Sequence, residues 1–422
     1  MTAPLTRWNR EDLLRRLCHA LDIAEHAIER LAGDGYTDPH QPGNSVRPEK
    51  VISETGLLLL VASEATDHAE VKVRIDQVAK LLIPYARGRR MLLGVCLQPA
   101  LALDYAYAHV CLSRLGYPHK EFNELLRQSR RSQAAAGCER LPYRLLEQQW
   151  IADLSGCPEA VSRRRAGATV TRSALACSMD LLNGHRDDVY AFTHALMYSS
   201  RFNSRPRRLP RSRRTILAEA EGMLARCLDD EDYDLAGELL LAWPLTGKSW
   251  SATATFGFRV LSRVEDVAGF LPAPNTRLDR VNALKNNERA TYLLATAYHT
   301  AYVMGLLCAA ALQLGRSPSL EIHARGPSRG AASQILKHLD TDGPVPHWRT
   351  ELNTLTDPER DAIAGFLLDV ALRRTVARHD FNGARRLLAL GSAWNLANSP
   401  VSSQVAEMLG RLALAADLLS SA

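Results

Sequence analysis

The segment "NREDLLRRLCHALDIAEHAIERL", residues 9–31, repeats apolar side chains at the spacing of an α-helix. Apolar positions three or four residues apart lie on one face of a helix. Here they are Leu13, Leu17, Leu21, Ala24 and Ile28. The same period recurs along most of the chain, and no segment has the period-two alternation of a half-buried strand. The sequence therefore predicts an all-α protein.

Helical periodicity continues to the end of the chain with short interruptions. It covers, approximately, 50–66, 70–87, 89–115, 119–137, 141–154, 158–182, 187–201, 211–228, 232–243, 250–268, 286–314, 328–340, 357–378, 380–390 and 400–420. Many helices with short connections predict stacked helical hairpins, in an α/α toroid or an α-solenoid-like arrangement. The proline-containing link "FLPAPNTR" at 270–277 predicts a helical domain 1–268 with a second one, 277–422, packed against it. One continuous domain is the alternative.

Composition narrows the class of protein. The 422 residues are 46% hydrophobic and 23% charged, with a net charge of +6, which is ordinary for a globular protein. No nucleic-acid reader motif occurs, so no specific nucleic-acid partner is expected. Eight scattered cysteines without a C-x-x-C pair, and no N-terminal apolar stretch, predict a cytoplasmic protein with reduced thiols. The best apolar run, "AYVMGLLCAAAL", is too short to span a membrane.

The segment "RDDVYAFTHALMYSSRF", residues 186–202, carries the main candidate site. Tyr190, His194 and Tyr198 lie four positions apart and share one helix face. A histidine held by an acid is a tunable base, and a phenol can stabilise a developing oxyanion or act as an acid. We therefore predict catalytic roles for these three residues and for Asp187 and Asp188. The alternatives are a polar seam in an ordinary core and helix capping by the two aspartates.

A second candidate precedes this helix, in "CERLPYRLLEQQWIADL" at 138–154. Glu147 lies three residues before Trp150, which indicates a partly buried face. Its spacing from Arg144 also fits an ordinary solvated helix pair. We predict that Glu147 joins the catalytic set.

A repeated sequence pattern, which we call the sequence echo, extends the candidate site to other helices. "YAYAH" at 105–109 matches "YAFTH" at 190–194, and "TAYHTAYVMG" at 296–305 is a looser copy. The echo predicts that three helices line one cavity, with Tyr105, His109 and His299 as binding residues. Chance recurrence of common residues is the alternative.

A basic segment follows the His194 helix. "RFNSRPRRLPRSRR" at 201–214 contains seven arginines and two prolines, so it is not helical throughout. Arg205, Arg207 and Arg208 are predicted to bind an acidic ligand such as a leader peptide. The alternative is a solvated loop.

The acidic and histidine-containing segments contain no complete metal-binding motif. "DEDYD" at 230–234 has the spacing of the first metal motif of terpene cyclases. The second motif needs a final acid, but "NNERATYLLA" at 286–295 ends in Ala295. Histidines and cysteines show no zinc-type spacing. We therefore predict no metal ligands and no cofactor.

Three segments carry a family resemblance: "GCERLPYRLLEQQW", "DDVYAFTHALMYSS" and "DYDLAGELLLAW". Together they resemble an uncharacterised, all-helical actinobacterial family, classed as a domain of unknown function, over about 80–245. In that family an acid and a glycine often follow the Tyr-Ala-Phe-Thr-His block, whereas this chain reads Ser200, Arg201, Phe202 and Asn203. Relatives of this kind occur among natural-product genes, including those for ribosomal peptides. The resemblance implies a setting in specialised metabolism and no known mechanism.

These observations predict an enzyme of peptide natural-product maturation, for a ribosomal, lanthipeptide-like peptide, by acid/base-assisted cyclisation or modification. The expected partners are a peptide or small-molecule substrate, an acidic leader peptide and other enzymes of the same pathway, with no membrane partner. Two rival hypotheses are a non-catalytic α-solenoid that binds peptides or proteins, and a terpene-type cyclase.

Overall fold

The structure is a computed structural model that describes residues 10–38, 41–156, 167–202, 209–313, 315–319, 321–322, 329–339 and 345–420. The first helices are α1 Arg10–Glu29, α2 Pro48–Ala65, α3 Ala69–Ala86, α4 Arg89–Leu97, α5 Ala102–Arg114, α6 Lys120–Arg130, α7 Pro142–Leu154 and α8 Arg186–Ser200. They are followed by α9 Arg213–Asp229, α10 Tyr233–Leu240, α11 Ala242–Thr246, α12 Ala252–Ala268, α13 Leu278–Ala283 and α14 Asn286–Thr296. The last are α15 Tyr298–Leu312, α16 Ala331–Leu336, α17 His347–Leu352, α18 Asp357–Ala362, α19 Ala364–Ala377, α20 Phe381–Ala393 and α21 Pro400–Ser420. The predicted all-α fold is confirmed.

One short hairpin departs from the helical pattern. Strands β1 (Tyr36–Asp38) and β2 (Gln41–Val46) pair antiparallel, with Tyr36 opposite Val46. Periodicity did not predict them, because β1 has three residues and β2 contains a proline and a glycine.

Three long predicted helices are each divided in two. The range 357–378 breaks at Ile363. The range 89–115 breaks at Gln98, which precedes Pro99 and has left the helical region, as the residue before a proline tends to do. The range 286–314 breaks at Ala297, and the two halves meet at a bend of 63°. The break at Ala297 places His299 in the first turn of α15.

The predicted helix at 158–182 is present at 167–170 but is wrong in the rest of its described part, where 174–176 is a short 3₁₀ turn and 178–180 is irregular. Residues 157–166 lie outside the described part of the chain.

Helix α15 lies at the centre of the fold. Its sequence is apolar on all sides, which is typical of a fully buried helix, and all its residues except His299 are buried. It packs against α1, α2 and α10. The main hydrophobic core is continuous from Leu13 on α1 to Leu409 on α21. Helices α1, α2 and α10 thereby surround α15 and fix the direction in which His299 points.

No single described helix is both long and apolar enough to cross a membrane. Two bent pairs, residues 89–97 with 99–114 and residues 286–296 with 298–312, satisfy the requirement together by length and composition alone.

Candidate functional site

A cavity of about 450 Å³ lies between α2, α5, α7, α8, α10 and α15. Its volume is within the range of small-molecule sites. Its titratable lining side chains are Arg47, Glu49, Lys50, Glu54, Asp104, Tyr105, Tyr107, Arg144, Glu147, Tyr190, His194, Tyr198, Glu238, His299 and Tyr302. Apolar side chains such as Leu57, Met197 and Val303 fill the spaces between them. Six helices therefore direct a dense set of polar groups into one enclosed space.

The face of α8 that carries Tyr190, His194 and Tyr198, which we call the stripe, faces this cavity. Tyr190, His194 and Tyr198 all line it, as their four-residue spacing implies. The stripe is positioned by burial, because α8 is buried from Phe192 to its last residue. Their catalytic roles remain predictions.

The two aspartates before the stripe lie elsewhere, which corrects the prediction that they accompany His194. The side chain of Asp188 accepts a hydrogen bond from the backbone N–H of His185, and the His185 ring accepts one from the N–H of Asp187. Both acids are exposed in the first turn of α8. There they stabilise the positive end of the helix dipole, the capping role that was the alternative.

The carboxylate beside His194 is Glu238, from α10. His194 Nε2 lies 3.3 Å from Glu238 Oε1, while the Thr193 hydroxyl donates to Glu238 Oε2 at 2.5 Å. The Tyr190 ring lies against the imidazole, with 3.8 Å between ring centroids. Burial works to raise the pKa of Glu238, but His194 and His299 together lower it below its ordinary value. Glu238 is therefore an ionised carboxylate in a nearly closed environment.

A second polar pair joins α7 and α8. The Tyr198 hydroxyl donates to Glu147 Oε1 at 2.7 Å, and Arg144 donates to Glu147 Oε2 at 2.8 Å. Trp150 packs beside Tyr198, with ring centroids 5.7 Å apart. Burial, and then the charge of Glu147, raise the pKa of Tyr198 well above its ordinary value. The phenol therefore keeps its proton and holds it against a carboxylate at the cavity wall.

His299 connects three carboxylates at the opposite wall. Its Nδ1 lies 3.0 Å from Glu54 Oε2, and its Nε2 lies 3.5 Å from Asp234 Oδ1 and 3.9 Å from Glu238 Oε1. Burial works to lower the pKa of His299, but Glu54 and Asp234 raise it well above its ordinary value. Burial works to raise the pKa of Glu54, but His299 and Lys50 lower it to about 2. We call Asp234, Glu238 and His299 the carboxylate–histidine cluster.

Of the other predicted binding residues, Tyr105 lines the cavity and His109 does not. His109 stacks on Phe122 at 4.1 Å between centroids, and its Nε2 contacts Asn123 Oδ1 at 2.8 Å. Burial lowers its pKa to about 4, so it is a neutral core histidine. All three helices of the sequence echo do line the cavity, but α5 contributes its tyrosines and turns His109 away. Arg205, Arg207 and Arg208 lie outside the described residues.

The acidic side chains of residues 230–234 do not converge on one ligand site. Asp230 is half-exposed beside Arg226, and Asp232 caps α10 while pairing with Arg186. Asp234 alone reaches the carboxylate–histidine cluster.

Sequence reasoning missed Asp234, Glu238 and Glu54 as site residues. A signal for the first two was present in "DYDLAGELLLAW", where acids four residues apart share one face of an otherwise apolar, buried helix. Buried carboxylates require partners, so such a pair predicts cations, donors or a metal ion nearby. No comparable signal identified Glu54, whose role follows from its contact with His299.

Several buried polar atoms without a hydrogen-bond partner lie at this cavity or in the adjacent cluster. Nine buried side-chain N or O atoms have no hydrogen-bond partner among the described residues. Four of them belong to cavity or cluster residues: Glu49 Oε2, Tyr107 Oη, His194 Nδ1 and Asp234 Oδ1. Native proteins leave few buried polar atoms unpaired, and those that remain often mark a catalytic or ligand-binding function.

Comparison with known proteins gives a family and no activity. No curated protein and no solved structure matches the chain. The family model described as a domain of unknown function (DUF6895) matches residues 17–309, which include every residue that lines the cavity. This match covers more than half of the 422 residues and agrees with the resemblance to an uncharacterised family. The chain belongs to the DUF6895 family.

Proposed function

We propose that this chain is an enzyme that transfers protons to and from a substrate held in the cavity, and that the substrate is a reactive segment of a peptide natural product. The observation that carries the proposal is a set of three buried polar atoms in the cavity lining that have no hydrogen-bond partner among the described residues: Glu49 Oε2, Tyr107 Oη and His194 Nδ1. A purely structural core would leave few such atoms.

The Tyr198–Glu147 pair supplies the proton-transfer groups. Tyr198 is a protonated phenol, and Glu147 accepts its hydrogen bond while Arg144 orients the second carboxylate oxygen. An acid and a base in contact at a cavity wall can take a proton from one substrate atom and deliver one to another. The cavity volume of about 450 Å³ suits a small metabolite or a few peptide residues.

Ring closure of a dehydrated peptide is the specific reaction proposed, and the family resemblance supports the peptide class. Glu147 removes the proton of a cysteine thiol, and the sulfur forms a bond to the β-carbon of a dehydroalanine. The double-bond electrons move toward the carbonyl as an enolate, and Tyr198 donates a proton to the α-carbon. Glu147 then returns its proton to Tyr198, so the addition is balanced and needs no oxidant or reductant.

A linear peptide with one cysteine and one dehydroalanine tests this reaction. Ring closure leaves the mass unchanged but removes the thiol, so mass spectrometry after alkylation measures it against the rate in buffer. Tyr198→Phe and Glu147→Gln should lower the enzymatic rate by about 10²–10⁴-fold, the usual contribution of general acid–base groups. Tyr117→Phe is the matched control, since Tyr117 donates to Asp76 away from the cavity.

Two results would count against the proposal. A wild-type rate equal to that in buffer would exclude ring closure as the reaction. Peptide binding without turnover would favour the rival hypothesis of a binding module. Equal rates for wild type and Tyr198→Phe would show that the Tyr198–Glu147 pair is not the proton-transfer group.

A further inference from the structure

The three members of the carboxylate–histidine cluster come from two helices. Asp234 and Glu238 are one turn apart on α10, so both side chains leave the same face. His299, in the first turn of α15, points between them. Asp234 Oδ1, Glu238 Oε1 and His299 Nε2 each offer a ligand-type atom, and these atoms lie within 4.8 Å of one another.

Two separations within the cluster are at or near those of ligands around one ion. Zinc binds imidazole nitrogen and carboxylate oxygen at about 2.0–2.2 Å, so neighbouring ligand atoms of a tetrahedral ion lie roughly 3.3–3.5 Å apart. His299 Nε2 lies 3.5 Å from Asp234 Oδ1 and 3.9 Å from Glu238 Oε1. Small side-chain adjustments bring all three atoms to bonding distance of a common centre.

Each member of the cluster is held by a second contact through its other polar atom. Arg186 donates to Asp234 Oδ2, Thr193 donates to Glu238 Oε2, and Glu54 lies against His299 Nδ1. A carboxylate on the far nitrogen of a ligand histidine is a common outer contact of metal sites, where it fixes the ring and its tautomer. Asp234 Oδ1 and His299 Nε2 are thereby left facing the common centre, while Glu238 Oε1 is shared with His194 Nε2 at 3.3 Å.

Asp234 provides an independent indication of a ligand. Its side chain is about nine-tenths buried, and its Oδ1 accepts no hydrogen bond from the described residues although it points at the cluster. His299 Nε2 lies 3.5 Å from this oxygen but makes no hydrogen bond to it. A buried carboxylate oxygen that accepts no hydrogen bond is unfavourable, and a cation at the common centre would satisfy it.

We propose that Asp234, Glu238 and His299 bind one divalent transition-metal ion, and that its remaining coordination positions open into the cavity. Mixed imidazole and carboxylate ligands suit Zn²⁺ and Mn²⁺. Three protein ligands with an open position are typical of catalytic rather than structural metal sites. Metal binding here depends on neither the peptide substrate nor the Tyr198–Glu147 pair.

Metal titration of the full chain tests the proposal. Protein stripped with a chelator and then dialysed is titrated with Zn²⁺ or Mn²⁺ alone, by calorimetry, and its melting temperature is measured with and without the ion. Wild type should bind one equivalent and melt at a higher temperature with metal, because ligands of the native state stabilise it. Asp234→Asn and His299→Gln should weaken binding by about tenfold or more.

His347→Gln is the matched control. His347 Nδ1 lies 2.6 Å from Glu231 Oε1, a histidine–carboxylate pair away from the cavity, so this variant should bind metal like wild type. Glu54→Gln is a second test if a ligand variant fails to fold. It keeps a hydrogen-bond acceptor beside His299 and should weaken binding by roughly 10–100-fold through the outer contact.

Absence of saturable binding for both ions overturns the proposal, and a protonated His299 would then neutralise the carboxylates without a metal. Undiminished binding in Asp234→Asn and His299→Gln overturns it equally. Failure of the metal site and failure of the proposed function are distinguishable. Metal content is measured without substrate, whereas the Tyr198→Phe rate is measured without reference to metal.

Discussion

His194 and Glu238 meet at 3.3 Å between Nε2 and Oε1, although they lie 44 positions apart on different helices. The same oxygen, Glu238 Oε1, lies 3.9 Å from His299 Nε2. One carboxylate therefore connects the α8 stripe to the histidine of α15. This contact makes the two walls of the cavity a single polar system.

The His194→Gln variant distinguishes a catalytic role of His194 from a structural polar contact within the core. The ring makes one hydrogen-bonded contact, to Glu238, and its Nδ1 has no partner in the described structure, so unfolding free energy should fall by about 1–2 kcal/mol. Turnover should be lost, because the amide does not reproduce the ring between Tyr190 and Glu238. Urea unfolding and the alkylation assay measure the two effects. Full turnover in His194→Gln would assign His194 to a structural role.

Gly94→Ala should displace Tyr105 from the cavity wall. An added methyl on this α4 glycine would overlap the Tyr105 ring, so the ring must move. Overpacking of this kind destabilises by about 1–3 kcal/mol, even though alanine is the better helix former. Gly410→Ala, in α21 with open space around the added carbon, is the control and should stabilise slightly. Equal melting temperatures for Gly94→Ala and wild type would contradict the predicted overlap.

Arg16→Ala should strongly destabilise the packing of α1 on α12. Arg16 is fully buried and pairs with Asp12, Glu265 and Asp266, so its removal leaves buried carboxylates without this cation. Breaking a buried ion pair typically costs about 3–5 kcal/mol. Arg15→Ala provides the comparison, because Arg15 pairs with two of the same acids but is 55% exposed, and exposed pairs contribute about 1 kcal/mol or less. Similar midpoints of urea unfolding for both variants would exclude this difference.

Asp369 should make stability depend on pH. Burial raises its pKa to about 7, although the Ser399 hydroxyl donates to it at 2.6 Å and Arg373 is nearby, while Glu221 adds to the rise. The folded pKa exceeds the unfolded value of about 3.9, so the stabilising contribution is complete below about pH 4 and is lost as the pH rises to about 7.

Asp369→Asn cannot ionise and should therefore gain stability relative to wild type as the pH rises from 4 to 8. The difference should approach about 4 kcal/mol, at roughly 1.4 kcal/mol per pKa unit. Urea unfolding at pH 4 and pH 8 measures it. Asp187→Asn, at an exposed position, should show no comparable change. A pH-independent difference for Asp369→Asn would show that the carboxyl group does not take up a proton in the folded state.

The sequence by itself determined the all-α class and the shared face of Tyr190, His194 and Tyr198. Both follow from the 3.6-residue period, which depends only on neighbours along the chain. The hairpin and the break at Ala297 were not evident, because they alter the path of the chain over only a few residues.

Only the tertiary structure decided which groups meet in the cavity. It gave His194 the partner Glu238 instead of Asp187 or Asp188, and it turned His109 into the core. Spacing within a segment specifies which side chains share a helix face, but not which face of another helix lies opposite. That pairing depends on how side chains from distant segments fit together in the close-packed interior, and here the buried helix α15 sets it.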